Sequence, residues 1–244
     1  MAINNREFYN NNKITESICQ FTFHNQIDSV LIDKIKDALL NTFIYKEIIP
    51  IPSIHFNFNL NNNLQEQINT TGYRVFNNSK DKAVQIQSDN ISIHQIGNYE
   101  NWENFKVDII KVISSVESLQ LSGITRIDQR VINIFDLPEN STPADYFNVY
   151  INKPFGKNVP YNYSFSFENI YEPNIKYGVI KCNCVDQING TKKVLFDLSS
   201  IHLFINSPLL INDSKIDETL ESGHIVLYEL FANSITEKTK QLIK

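Results

Sequence analysis

The run Leu121-Ser122-Gly123-Ile124-Thr125-Arg126-Ile127-Asp128-Gln129-Arg130-Val131-Ile132-Asn133-Ile134-Phe135 constrains this chain more than any other stretch. It reads as one long strand over 122–135. Side chains alternate along a strand, so Ile124, Arg126, Asp128, Arg130, Ile132 and Ile134 share one face. Thr125, Ile127, Gln129, Val131, Asn133 and Phe135 share the other. Three charges therefore point the same way, in the order plus, minus, plus. The isoleucines that bracket them predict partial cover, and covered charge must be paired. Two arrangements satisfy that demand. In one, Arg126 and Arg130 form a pocket with Asn133 for a small anionic ligand or peptide, and Asp128 holds one guanidinium fork in place. In the other, the charges are an ion-pair network that sets strand register or a seam between two halves.

The segments on either side fall into a repeated order. Residues 14–24 alternate as a strand, with Ile14, Glu16, Ile18 and Gln20 on one face and Cys19, Phe21 and Phe23 on the other. Asp28 or Ser29 caps a predicted helix over about 29–43, striped by Val30, Leu31, Ile35, Ala38, Leu39 and Phe43. Pro50 and Pro52 are expected to punctuate its exit. Ile54 to Leu60, Gly72 to Phe76, Ala83 to Gln87 and Ile91 to Ile96 read as an antiparallel meander that ends at Gly97-Asn98. A helix over about 101–119 follows, capped by Asn101 and striped by Trp102, Phe105, Ile109, Val112, Ile113 and Val116.

After the long strand, Thr142-Pro143 opens a short helix over about 142–151. Tyr161 to Phe167 alternates as a further strand. Tyr177 to Asp186 and Lys193 to Ile205 pair around the hairpin signal Asn189-Gly190. Asp217 or Ser214 opens a single long terminal helix that runs through Leu220, Ile225, Leu227, Leu230, Phe231, Ile235 and Leu242.

The two halves rhyme as strand, helix, meander, helix. The reading is an α+β fold of two pseudo-duplicated units, 1–120 and 121–244, each an antiparallel sheet with helices on one side, the two forming one compact body. The competing architecture is a single curved antiparallel sheet around a long C-terminal helix. If the leading strands of the halves pair across the pseudo-axis, Glu16 falls near Arg126 or Arg130.

Certain motifs resemble a known family. The Arg-x-x-x-Arg-x-x-Asn run of Arg126, Arg130 and Asn133, the Trp-x-x-Phe helix start at Trp102 and Phe105, the strand Ile14-Thr15-Glu16 to Phe23, and the spacing His224, Phe231, Thr236 are similar to a bacterial family of about 250 residues described only as sporadically distributed. Lys13 stands where that family usually has Pro, and Gln129 and Val131 where Leu and Tyr are common. The resemblance spans nearly the whole chain. It implies no set activity; a patchy distribution implies an accessory part in a mobile or antiphage-defence-type locus.

Composition narrows the function classes. A net charge of −5 argues against a broad nucleic-acid footprint, which needs clustered Lys and Arg. No run approaches a membrane span, and the polar start Met1-Ala2-Ile3-Asn4-Asn5-Arg6 is no secretory signal, so a cytoplasmic protein is expected. Cys19, Cys182 and Cys184 read as small buried hydrophobes, and no metal or cofactor is expected, because Cys182-Asn183-Cys184 has no second ligand pair. The five histidines lack a nucleophile elbow, and four of them fall on strand faces read mostly as solvent-side. His224, early in the last helix, is the single best histidine candidate. Asp186 and Asp197 could meet across the last hairpin. The expectation is a non-enzymatic binding or assembly protein that acts through a protein partner or self-association. The alternative is a sensor or enzyme that holds an anionic ligand such as a nucleotide on Arg126 and Arg130.

Overall fold

The computed structural model describes residues 13–42, 45–58, 64–138, 141–149, 162–173, 175–186 and 192–243. The fold is built outward from two strands. β1 (Ile14–Phe23) buries Ser17, Cys19, Phe21 and Phe23 on one face, and β6 (Ile124–Leu137) buries Ile127, Gln129, Asn133, Phe135 and Leu137. They pair antiparallel, with Cys19 opposite Gln129 and Phe21 opposite Ile127, so both apolar faces look the same way. The strands that lead the two halves of the sequence do pair.

The remaining strands extend this centre in both directions. On the β1 side lie β2 (Tyr45–Phe58), β3 (Leu64–Asn77), β4 (Lys82–Ile86) and β5 (Asn90–Ile96). On the β6 side lie β7 (Asn162–Glu172), β8 (Lys176–Asp186) and β9 (Lys192–Leu203). The result is one open, antiparallel nine-stranded sheet in the order β2-β3-β4-β5-β1-β6-β9-β8-β7. Each half hands its last meander strand back to its first, and the half-sheets merge into one. The β8–β9 register, Asp186 opposite Lys192, agrees with the predicted hairpin, whose turn at Asn189-Gly190 lies outside the described residues.

Among the described residues, helices cover only one face. α1 (Ser29–Thr42) buries Ile32, Ile35 and Leu39 but leaves Val30 in water. α2 (Trp102–Val116) buries all six residues of its predicted stripe, and Asn101 Oδ1 accepts from the Asn104 amide at 2.8 Å to cap it. A 3-10 turn, Glu117–Leu119, leads out of it. α4 (Lys215–Ser234) buries Ile216, Leu220, Val226, Leu227 and Leu230 over β6, β8 and β9. Each such side chain contributes roughly 1.5–3 kcal/mol. Two apolar clusters result, and the first draws Ile124, Ile127, Ile216 and Leu220 from the C-terminal half, so the core crosses the seam.

Three expectations are corrected. Pro50 and Pro52 lie inside β2, which is tolerable because β2 is an edge strand paired only with β3. The short helix is α3 (Pro143–Tyr146), closed by a capping box between Thr142 and Asp145, and it stops well before 151. The terminal helix is broken: Ile235 is extended and bridges Phe147, and α5 (Glu237–Ile243) restarts beyond it.

Candidate functional site

The face of the sheet that carries no helix among the described residues bears the charges of β6. Arg126 donates to Asp128 through Nε (2.7 Å) and Nη2 (2.9 Å), a bidentate pair made along one strand. Arg130 donates to Asp197 of β9 through Nε and Nη2, both at 2.6 Å. The two guanidinium groups use the same edge in the same way. Each keeps its Nη1 end without a hydrogen-bond partner among the described residues. The arginine side chains are 45% and 42% exposed, whereas their carboxylate partners are 15% and 5% exposed. Burial pushes the Asp128 carboxyl above its ordinary range, against the pull of Arg126. The hydrogen bonds to Asp197 hold Arg130 more firmly protonated.

The neighbouring strands complete the surface. Register places His94 of β5, Ile18 of β1, Arg130 of β6 and Ser199 of β9 in one row, and Ser92, Gln20, Asp128 and Ile201 in the next. These residues line an open groove of about 440 Å³, together with Arg126, Gln85 and Lys181. Glu16 stands beside it. Its Oε1 lies 2.8 Å from His94 Nδ1 and 3.6 Å from Arg74 Nη2. The His94 hydrogen bond, with the charges of His94, Arg74 and Arg130, keeps the Glu16 carboxyl below the usual range. The other ring nitrogen of His94, Nε2, is 2.9 Å from Ser92 Oγ.

The predicted site residues therefore divide into two groups. Arg126, Asp128, Arg130 and Glu16 belong to the open face. Glu16 is opposite Ile132, two residues from Arg130, and the two charges act on each other. Asn133 does not belong there: its side chain is buried on the helix side. With His224 it lines instead a cavity of about 150 Å³, whose walls include Val131, Leu198, Leu227 and Tyr228. The His224 ring stacks on Trp102 at 4.6 Å and 6°, and Trp102 Nε1 donates to Glu221 Oε1 at 3.1 Å. The Trp-x-x-Phe start of α2 is thus the dock for α4. Gln129 Nε2 donates to the Leu220 carbonyl at 2.9 Å, and a Cβ on Gly223 would stand 2.4 Å from that nitrogen. α4 lies this close to β6 because position 223 is glycine.

Other expectations change. His94 is on the open face, as alternation has it, but is largely buried there by its neighbours; His202, opposite Ile127, is buried on the helix side, and the His55 side chain lies outside the described residues. Asp186 and Asp197 do not meet: Asp197 is opposite Lys181, and Asp186 is opposite Lys192. Cys182 and Cys184 share a buried face, and burial pushes the Cys182 thiol up to about 12. Among the described residues no cluster of three or more His, Cys, Asp or Glu is placed to hold a metal ion, and no helix is long and apolar enough to cross a membrane. The sequence reading missed Ser92 and Lys181, paired Asp197 with Asp186 rather than with Arg130, and gave His94 no part in the site. Alternation could have put Ser92 and His94 on one face of β5, but nothing local brings that face to Glu16.

No protein-family model matches the chain, and no curated protein matches it.

Proposed function

We propose that this is a binding protein whose open sheet face recognises an anionic group, a carboxylate or a phosphate, held in the groove over β5, β1, β6 and β9. One observation carries the reading. Arg126 and Arg130 are each fixed along the Nε–Nη2 edge by a carboxylate that is itself largely buried, and each has its Nη1 end without a partner among the described residues. A fork held in place before the ligand arrives loses less side-chain freedom on binding, and bonds to an ionised acceptor are about twice as strong as neutral ones. Lys181, exposed on the same groove, adds a positive charge that none of the described carboxylates pairs. The groove's volume lies within the range of small-molecule sites. A partner chain that presents the same group would bind by the same chemistry, which accommodates the expectation of an assembly protein.

Native mass spectrometry of the protein taken from its host separates these sources: an adduct of small mass identifies a ligand, and a second polypeptide identifies a partner. Thermal melts in inorganic phosphate, citrate and nucleotides test the site itself. Saturation to 100 times Kd stabilises the fold by about 2.7 kcal/mol. The shift is expected to shrink in an Arg126→Gln/Lys181→Gln variant. Anions that leave the wild-type melt unmoved, or move wild type and variant equally, would refute the reading.

A further inference from the structure

We infer that the groove is also a reaction site for ester hydrolysis, with Ser92 as nucleophile, His94 as its general base and Glu16 as the carboxylate that positions the imidazole. The inference rests on the anion-recognising role of Arg126 and Arg130 for its substrate class, and on separate geometry for its chemistry. Ser92 and His94 are two residues apart on β5, so both side chains rise from the same face. One imidazole spans the serine and the carboxylate, with Nε2 2.9 Å from Ser92 Oγ and Nδ1 2.8 Å from Glu16 Oε1. An ionised carboxylate can only accept, so Nδ1 carries the proton of that bond. In the neutral ring Nε2 is then the acceptor, aimed at the Ser92 hydroxyl. This is the tautomer a base needs to take a proton from serine. Ser92 and His94 both line the groove.

The chemistry balances with water as the second substrate. Ser92 Oγ attacks the ester carbonyl carbon as its proton passes to His94 Nε2. The bond from that carbon to the leaving oxygen breaks, and His94 returns the proton to the departing alcohol. Water then attacks the acyl-serine and gives a proton to His94. The bond from carbon to Ser92 Oγ breaks, and Ser92 recovers its hydrogen from His94. Ester and water become acid and alcohol, and Glu16 stays ionised throughout, where it stabilises the transient imidazolium. Gln85 and Gln20 are the direct cross-strand neighbours of Ser92 on β4 and β1, and both line the groove. Each carries a carboxamide N–H, the kind of donor that a developing oxyanion needs.

Geometry also sets the substrate. Ser92 lies on β5 and the arginines on β6, two strands away. Either arginine is also offset by two residues from the row of Ser92, so at about 4.8 Å per strand and about 3.3 Å per residue the anionic group of the substrate sits about 12 Å from the reacting carbonyl. The class is an ester whose acyl chain ends in a carboxylate or phosphate at that reach.

The full-length wild-type protein is treated with a fluorophosphonate, and the labelled residue is located by peptide mapping, which requires no variant. Stoichiometric labelling of Ser92 is expected, slowed about 10²- to 10⁴-fold in His94→Gln. Glu16→Gln is expected to slow labelling and alter its pH profile, and Glu16→Asp to restore part of it. Nitrophenyl half-esters of dicarboxylic acids of increasing length then read the substrate class, with the optimum expected near the reach of about 12 Å and lost in Arg126→Gln. If anions still stabilise the protein but Ser92 is not labelled and no half-ester is hydrolysed, the reaction is overturned and the binding role stands. If Ser92 is labelled but acidic and neutral esters react alike, the nucleophile stands and the anion-recognising role falls.

Discussion

Removing Arg130 is expected to cost more than removing its partner Asp197, although the two share the same pair of hydrogen bonds. The Asp197 side chain is 5% exposed and that of Arg130 42% exposed, and two bonds of 2.6 Å join them. In Arg130→Ala the carboxylate stays in place, buried and deprived of its partner. Breaking a buried pair this way costs about 3–5 kcal/mol, and the open side of the groove argues for the lower end, about 3 kcal/mol. In Asp197→Asn the guanidinium can turn to water, so the loss is that of a charge-assisted bond, about 1.5 kcal/mol. The double variant should lose less than the sum, with a coupling of at least about 1.5 kcal/mol. Urea titrations at pH 7 read all three; with an m-value of about 3 kcal/mol/M, the Arg130→Ala midpoint falls by about 1 M. An Arg130→Ala protein within about 0.5 kcal/mol of wild type, or additive single losses, would refute the reasoning that a buried carboxylate anchors an exposed fork.

Three further outcomes follow from buried polar groups. Burial, and then the charge of Lys176, lowers the His202 pKa to about 4, and its Nε2 has no partner among the described residues. Because the folded value is depressed, the unfolded chain takes up the proton first. As pH falls from about 6.5 to about 4, this residue withdraws at most about 3 kcal/mol of stability, and His202→Gln should flatten that part of the urea-midpoint profile. Asn133 Nδ2 is buried without a partner beside an apolar cavity, so Asn133→Leu should stabilise by about 1 kcal/mol and raise Tm by about 2–4 °C; a lower Tm would count against an orphaned amide. Gly223→Ala should gain up to about 1 kcal/mol of helix propensity but displace the Gln129 amide from Leu220, for a net loss of about 1 kcal/mol. Pairing it with Gln129→Ala should relieve the clash, which a Tm comparison of single and double variants will show.

Period-two and period-3.6 patterns determined a good deal without any coordinates. They set which residues of β1 and β6 share a face, apart from Ile124, which a register shift opposite Phe23 turns from the charged face into the core, and all six buried positions of α2. They also marked the caps at Asp28 and Asn101, the reversal at Gly97-Asn98, where both residues have positive φ, and the repeat that makes β1 and β6 the leading strands of two like halves. These are properties of a segment against itself, so the segment suffices to read them. Tertiary structure decided the rest. Pro50 and Pro52 look like breakers until β2 proves to be a sheet edge, where a missing amide donor harms no ladder. The last helix has an unbroken stripe, yet Ile235 leaves it to bridge Phe147, a residue distant in sequence. Alternation separates Asn133 from Arg130 but cannot say which face the helices cover. The candidate site depends most of all on this second kind of information. Asp197 reaches Arg130 through the β6–β9 register, and Glu16 reaches His94 through the β1–β5 register; a slip of one residue in either would turn those side chains to the other face.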